Sequence, residues 1–377
     1  MTAKDVIKKD DVVIKFVGDS GDGMQLTGTL FSDTSALDGN DIATFPDYPA
    51  EIRAPHNTVA GVSGFQVHIG KKIYSSGDKA DVLVAMNPAS LKANLKWVKV
   101  GGIIIVDADT FEEGAIEKAG YSSNPLEDDS LSNYKLIKAP ITSFTIEAVK
   151  EIFTDRKAAL KCRNMFALGM IFFIFGKELD HTDAYLEKKF AKKPEVVQAN
   201  KSVIRAGYNF CENTDVMEYQ MQVETATMPA GKYRNITGNI ATAWGLLAAA
   251  EKAGLPLFLG SYPITPATDI LIELAKHKSL GARVFQAEDE IAGICSAIGA
   301  SFAGAMACTS TSGPGLSLKS EAIGLAVMTE LPLVIVDVQR GGPSTGLPTK
   351  TEQSDLVQAL FGRNGEAPCI VIAASSS

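Results

Sequence analysis

The sequence predicts an α/β chain built from two doubly wound domains. Short β-branched runs alternate with segments of helical period in both halves, and most runs end in a turn bearing glycine or proline. A polar stretch without any period separates the halves, so the alternation belongs to two sheets rather than one.

Asp11 opens the first run, Val12–Val17, which ends in Gly18-Asp19-Ser20-Gly21-Asp22-Gly23 and leads into the periodic segment Met24–Leu37: a strand, a glycine turn and a helix. Apolar runs at Asp81–Met86, Gly102–Asp107 and Tyr134–Ala139 follow, each succeeded by a candidate helix or loop, as expected of a parallel sheet with helices on its faces. From Lys157 to about Glu212 the period is helical, with Pro194 opening the last segment. The polar sequence NTDVMEYQMQVETATMPAGKYRN then reads as an extended linker. The first domain is therefore placed at 1–212, the linker at 213–234 and the second domain at 235–377.

In the second domain the expected order is helix Gly238–Ala253, strand Leu255–Leu259, helix Pro266–His277, strand Arg283–Gln286, helix Asp289–Phe302, strand Ala305–Thr309, helix Leu316–Thr329 and strand Leu331–Val338. The last segment, PCIVIAASSS, reads as a strand ready to continue into another βα unit, so the domain is expected to be incomplete at its C-terminus.

At 377 residues, 46% hydrophobic and 21% charged, the chain is ordinary globular material for about two domains. A formal net charge of -8 and the lack of any lysine and arginine run argue against a nucleic-acid partner. Cys162, Cys211, Cys295, Cys308 and Cys369 are scattered and include no C-x-x-C pair, so no disulfide framework, zinc site or iron–sulfur nest is read from them; buried, reduced thiols are expected. The N-terminus MTAKDVIKKDD lacks an apolar signal core, and Met165–Phe175 is too short to span about 30 Å of hydrocarbon, so a soluble, cytoplasmic protein is expected.

Several motifs sit at strand ends. The Gly18–Gly23 turn has the spacing G-x-x-G-x-G, and Asp19 and Asp22 stand where a pyrophosphate would lie, so like charge opposes a dinucleotide there. Residues 45–66, FPDYPAEIRAPHNTVAGVSGFQ, read as an interface loop in which Arg53 and His56 can meet an anion. Asn87-Pro88 lies where ligands gather in open α/β sheets, and a helix start at Pro88 explains it equally well.

The second domain is richer. Tyr262-Pro263-Ile264-Thr265-Pro266 follows a buried strand at its carboxyl end. Thr265 as N-cap, Pro266 in the first turn and Asp269 near the positive helix end account for half of the motif and leave Tyr262-Pro263 unexplained. Thr309–Gly315 and Gln339–Gly346 are further turns expected on the same rim, and Glu288-Asp289-Glu290 sits where a strand hands over to an apolar helix. Those carboxylates either cap the helix or do chemistry.

Taken together, YPITPAT, EDEIAG with IGASFAGA, TSTSGPGLSLKSEAIG and VDVQRGGPSTGLPTKTEQSDL resemble the α subunit of 2-oxoacid:ferredoxin oxidoreductases. GDSGDG and the AEIRAP to GVSGFQV stretch resemble the γ domain that many such subunits carry fused ahead of a thiamine-diphosphate pyrimidine-binding domain. The resemblance implies oxidative decarboxylation of a 2-oxoacid with coenzyme A, using thiamine diphosphate and passing electrons through iron–sulfur clusters to ferredoxin. By it, Glu290 (or, as second choice, Glu288) bonds the N1′ of the aminopyrimidine, and Tyr262, Pro263, Ile264, Thr311, Ser312 and Gly313 join it around the cofactor. Thr265 holds the oxo or carboxylate end of the substrate and Arg340 pairs with a carboxylate, the two prolines stiffening the backbone that carries Thr265.

The resemblance also places the diphosphate, Mg2+ and a [4Fe-4S] cluster on a β subunit, without which the chain has half a cofactor site and no turnover. The transketolase C-terminal-like domain of the family is not found after the pyrimidine-binding domain, which again suggests truncation. Fused chains of this appearance lean towards 2-oxoglutarate. Two other readings stay open: a non-catalytic assembly subunit, and a nicotinamide-dependent dehydrogenase built on Gly18–Gly23.

Overall fold

A computed structural model describes residues 5–49, 55–214, 216–229, 231–344, 346–363 and 369–374. The chain divides into two compact units between Lys232 and Tyr233.

The first unit runs β1 (Asp5–Lys9), β2 (Asp11–Asp19), α1 (Met24–Leu37), β3 (Asp41–Asp47), β4 (Val62–Gly70), β5 (Ala80–Ala85), α2 (Pro88–Asn94), β6 (Val98–Asp107), α3 (Glu113–Lys118), β7 (Lys135–Ala139), α4 (Ile141–Val149), α5 (Arg156–Leu160), α6 (Arg163–Ile174), α7 (Asp180–Lys189), α8 (Pro194–Asn213) and β8 (Tyr219–Val223). Its main sheet has the order β3-β4-β2-β5-β6-β7. Side chains alternate between two cores: Ile14, Phe16, Val82, Val84, Ile103 and Ile105 face the cluster built with α6 and α8, whereas Val17, Leu83, Ala85, Ile104 and Val106 face the cluster that includes Leu91 and Ile116. Burial on both faces is why these strands read as unbroken apolar runs.

Helices α6 and α8 pack at backbone contact. A β-carbon on Gly169 would stand 2.0 Å from the Ile204 carbonyl oxygen, and one on Gly207 would stand 2.0 Å from that of Phe166. No other residue type permits that approach without separating the helices.

Two expectations need correction here. The sheet is mixed rather than parallel, because β4 runs antiparallel to both β2 and β3. Residues 45–66, read as one loop, therefore contain the end of β3 and the start of β4, and of that stretch Arg53 lies outside the described residues. The expected linker is also partly folded: Tyr219–Val223 pairs in parallel with Asp5–Lys9, and Met217 and Met221 are buried in the first unit's core. Alternation over Tyr219, Met221 and Val223 is the period-2 signal of that strand.

The second unit runs α9 (Gly238–Ala253), β9 (Leu257–Ser261), α10 (Thr268–Ala275), β10 (Arg283–Gln286), α11 (Glu290–Phe302), β11 (Met306–Thr311), α12 (Gly313–Met328), β12 (Val334–Asp337) and α13 (Leu356–Phe361). Its four-stranded sheet has the order β10-β9-β11-β12, and every pairing is parallel. Residues of α9 and α10 bury one face with Leu257, Leu259 and Cys308. Ile294 and Ile298 of α11 and Ala322 and Ala326 of α12 bury the other, with Ile335 packed against them. The described part of the expected terminal strand, residues 369–374, forms no strand.

Cys162, Cys211 and Cys308 are buried and Cys295 and Cys369 are exposed, which corrects the expectation of five buried thiols. Among the described residues no helix is long and apolar enough to cross a membrane, and no cluster of three or more histidine, cysteine or carboxylate side chains is set to hold a metal ion.

Candidate functional site

Because all four strands of the second sheet run the same way, the segments after β9, β10, β11 and β12 share its carboxyl edge. Helix α11 is fixed to that edge at short range. A β-carbon on Gly260 would stand 2.5 Å from the Gly293 carbonyl oxygen, and Gly293 faces the Ser261 backbone. The Ser261 carbonyl also accepts from the Ala287 amide at 2.9 Å, so the chain is held three residues before α11 begins.

At that entry the three acidic residues separate by role. Asp289 is the N-cap, its Oδ1 accepting from the Ala292 amide at 2.7 Å. Glu288 is exposed. Glu290, in the first helical turn and half-buried, is left free of capping duty. Its methylene and the Thr311 hydroxyl converge on Gly315, where a β-carbon would stand 3.1 Å from Glu290 Cγ and 2.1 Å from Thr311 Oγ1. The setting is not the apolar one its neighbours in sequence suggest, since the charges of both Lys319 and Arg340 act on this carboxylate.

Lys319 is the residue that sequence reasoning passed over. It is 0% exposed and lies on the stripe of α12 that buries Leu316, Ala322 and Ala326. Its Nζ donates to the Glu290 main-chain carbonyl at 2.7 Å. Burial pulls its ammonium down to about 8, opposed by the charges of Glu290, Asp289 and Cys295. A lysine at i, i+3 spacing within an apolar stripe was the available signal.

The turn after β11 enters α12 with Ser312 as N-cap. Thr311 and Ser312 are buried, and the Ser312 hydroxyl has no hydrogen-bond partner. The turn after β12 carries Arg340, 6% exposed, whose Nη1 donates to the Thr265 carbonyl at 3.0 Å while its Nε is unpartnered. Burial lowers its pKa and the Glu290 charge opposes that shift. Thr345 of this turn lies outside the described residues. Gly313, Pro314, Arg340, Gly342, Pro343 and Ser344 line a recess of about 330 Å³.

Asp337 and Asp355 meet beside it. Burial, together with hydrogen bonding to Asp355 and its charge, raises Asp337 to about 7, so the pair retains a proton near neutrality. A β-carbon on Gly313 would stand 2.9 Å from Asp355 Oδ2, which puts this acid pair against the start of α12.

Thr265 does not cap α10. That helix starts at Thr268 with Ala267 in the N-cap position, and the Thr268 amide donates to the Ile264 carbonyl at 3.0 Å, closing a turn over 264–268 first. The Thr265 side chain is therefore exposed rather than spent on a cap, and Tyr262 beside it is 37% exposed.

In the first unit the acidic glycine turn is occupied by its own side chains. Asp22 Oδ2 accepts from the Asp19 amide at 2.9 Å, and Asp22 Oδ1 pairs with Arg163 Nη2 at 2.8 Å. Asp19 Oδ2 accepts from the Asn57 amide at 2.9 Å and lies 3.3 Å from His56 Nδ1. Asn87 caps α2 through a capping box with Ser90, the helix-start reading of Asn87-Pro88. A larger recess of about 410 Å³ beside α8 places Lys201 and Arg205 on Asp183 and Glu187, so its charges are already paired.

Two family models match the chain. One, described as pyruvate ferredoxin/flavodoxin oxidoreductase, covers residues 13–210; the other, described as the thiamine-diphosphate-binding part of pyruvate flavodoxin/ferredoxin oxidoreductase, covers residues 249–377. The 2-oxoglutarate oxidoreductase subunit KorA of Mycobacterium tuberculosis is 55% identical over 375 residues, 99% of this chain and 57% of that protein. A 2-oxoacid:ferredoxin oxidoreductase α subunit of Aeropyrum pernix is 30% identical, over 97% of this chain and 60% of its own length. A solved structure of 2-oxoglutarate:ferredoxin oxidoreductase from Magnetococcus marinus, with 2-oxoglutarate, coenzyme A and succinyl-CoA bound, superposes with a TM-score of 0.77 at 34% identity, covering 96% of this chain and 57% of that one. The chain thus spans under two thirds of the length of the relatives it matches.

Proposed function

Since the chain belongs to the pyruvate ferredoxin/flavodoxin oxidoreductase family, we propose that it is the α subunit of a 2-oxoacid:ferredoxin oxidoreductase that takes 2-oxoglutarate and coenzyme A to succinyl-CoA and CO2. The observation that carries the reading is the Glu290 carboxyl, freed from capping by Asp289 and held at the carboxyl edge of a parallel sheet.

The residues present fit half of a thiamine diphosphate site. Glu290 offers a carboxyl to the N1′ nitrogen of an aminopyrimidine, Ser312 has an unpartnered buried hydroxyl, and Gly315 leaves room between Glu290 and Thr311. Tyr262, Pro263, Ile264, Thr311 and Gly313 complete the proposed wall around the ring. When bound, the cofactor supplies the nucleophilic carbon and the electron sink for decarboxylation. Glu290 controls the proton at the pyrimidine nitrogen. Thr265, with a side chain left open to solvent, positions the oxo or carboxylate end of the substrate, and the Arg340 fork meets a carboxylate.

Mg2+, the diphosphate contacts and the [4Fe-4S] cluster are assigned to a β partner, with ferredoxin as acceptor. The scattered cysteines of this chain support that division, and a cytoplasmic location accords with it. Turnover without the β partner is expected to be nil.

The test is coenzyme A-dependent reduction of a viologen dye by the chain combined with its β partner. Glu290→Gln should lower kcat by roughly 10²-fold or more, and 2-oxoglutarate should outperform pyruvate as substrate. Unchanged turnover in Glu290→Gln would remove the proton role. Retained activity after replacing Thr265, Glu290 and Arg340 together would favour a chain that only assembles the complex.

A further inference from the structure

Lys319 is a wholly enclosed cation with a role that capping, core packing and cofactor contact do not explain. A methionine at this point of the α12 stripe would fill the space without the cost of desolvating a charge. The ammonium instead reaches across to α11 and donates to the Glu290 carbonyl at 2.7 Å. That bond ties α12 to the first turn of α11 at the residue that carries the carboxylate.

The groups acting on Lys319 are Glu290 and Asp289 from the start of α11 and Cys295 from its next turn. The Glu290 charge acts on both Lys319 of α12 and Arg340 of the turn after β12. Arg340 is committed to the Thr265 carbonyl, so Lys319 is the cation bonded to the residue that carries the carboxylate.

We propose that Lys319 is a positioning residue for Glu290, holding the first turn of α11 by its backbone so that the Glu290 carboxyl keeps its place at the carboxyl edge of the sheet. This rests on the reading of Glu290 as the proton-controlling residue. It assigns to Lys319 no contact with substrate or cofactor.

Two substitutions test the donor. Lys319→Met removes it, whereas Lys319→Gln keeps an amide donor for the Glu290 carbonyl. In the complex with the β partner, Lys319→Met should lower kcat about tenfold with KM little changed, and Lys319→Gln should recover most of the loss. A second readout needs neither cofactor nor turnover: amide hydrogen exchange in the first turn of α11, measured in the full chain, should speed about tenfold in Lys319→Met and stay near the wild-type rate in Lys319→Gln.

A folded Lys319→Met with unchanged kcat and unchanged exchange would overturn the proposal. If Lys319→Met does not fold, Lys319→Gln still decides: retained kcat and protection support the donor, and loss of both in a folded variant overturns it. Full activity in Glu290→Gln would strike the functional reading instead, and the exchange rates would then decide this one alone.

Discussion

Arg340 donates through Nη1 to the main-chain carbonyl of Thr265 at 3.0 Å, joining two turns that lie 75 positions apart in sequence. The turn after β12 thereby holds the turn after β9, and Thr265 depends on Arg340 for its place as well as for any shared substrate. Arg340→Lys keeps a positive charge but loses the planar fork that reaches both Thr265 and Ser344. A displacement of about 1 Å at a reacting centre can cost roughly 10²-fold. The expected result is a fall of that size in kcat/KM with little change in thermal midpoint; a midpoint that collapses with the activity would mean that the arginine serves folding alone.

The position of Glu290 is inherited from the glycine contact beneath it. Gly260→Ala would bring a β-carbon within 2.2 Å of Ser296 Oγ and 2.5 Å of the Gly293 carbonyl oxygen. The second of these is backbone and cannot rotate away, so α11 must lift from β9. A loss of about 3 kcal/mol in stability is expected, together with weaker thiamine diphosphate binding by the complex. Calorimetric titration of the assembled variant checks the second effect, and unaltered affinity would show that the helix start does not bear on the cofactor.

Much of this site was legible because parallel β/α order dictates which segments share an edge. Once Leu257–Ser261, Met306–Thr311 and Val334–Asp337 are strands of one parallel sheet, YPITP, TSTSGPG and QRGGPSTG fall on one rim whatever their side chains do. Glu290 stood out for the same reason, though sequence could not say that Asp289 alone takes the cap. The first unit was harder. Pro46 and Gly64 make the Asp41–Asp47 and Val62–Gly70 strands look like loop, yet β3 lies at the sheet edge, where a missing N–H costs no ladder bond. Lys319 escaped notice because a lysine is assumed to be at the surface, and only the three-dimensional stripe shows otherwise. Thr265 looked like a helix cap because the turn over 264–268 delays the helix by a residue count that spacing alone does not reveal.

The two carboxylates beside Arg163 in the first unit give a pH prediction. Asp107 is 0% exposed; its carboxylate accepts from the Thr142 amide at 3.1 Å and hydroxyl at 2.6 Å, and Arg163 Nη1 stands 3.9 Å away. Burial raises Asp107 to about 6, and the Thr142 bonds and the Arg163 charge hold it from going higher. Burial likewise raises Asp22, opposed first by Arg163. An acid whose pKa is higher folded than unfolded binds its proton more tightly in the fold, so its contribution to stability is full below about pH 4 and is lost as pH rises through about 6. Arg163→Met takes away the cation that both carboxylates share and raises both further. At pH 7.5 they would be buried without that cation, for a loss of about 3 kcal/mol. At pH 5 Asp107 takes up its proton and the loss should shrink by half or more. Urea unfolding of the full chain at the two pH values measures the difference, and an equal loss at both would mean that Arg163 acts through packing rather than charge.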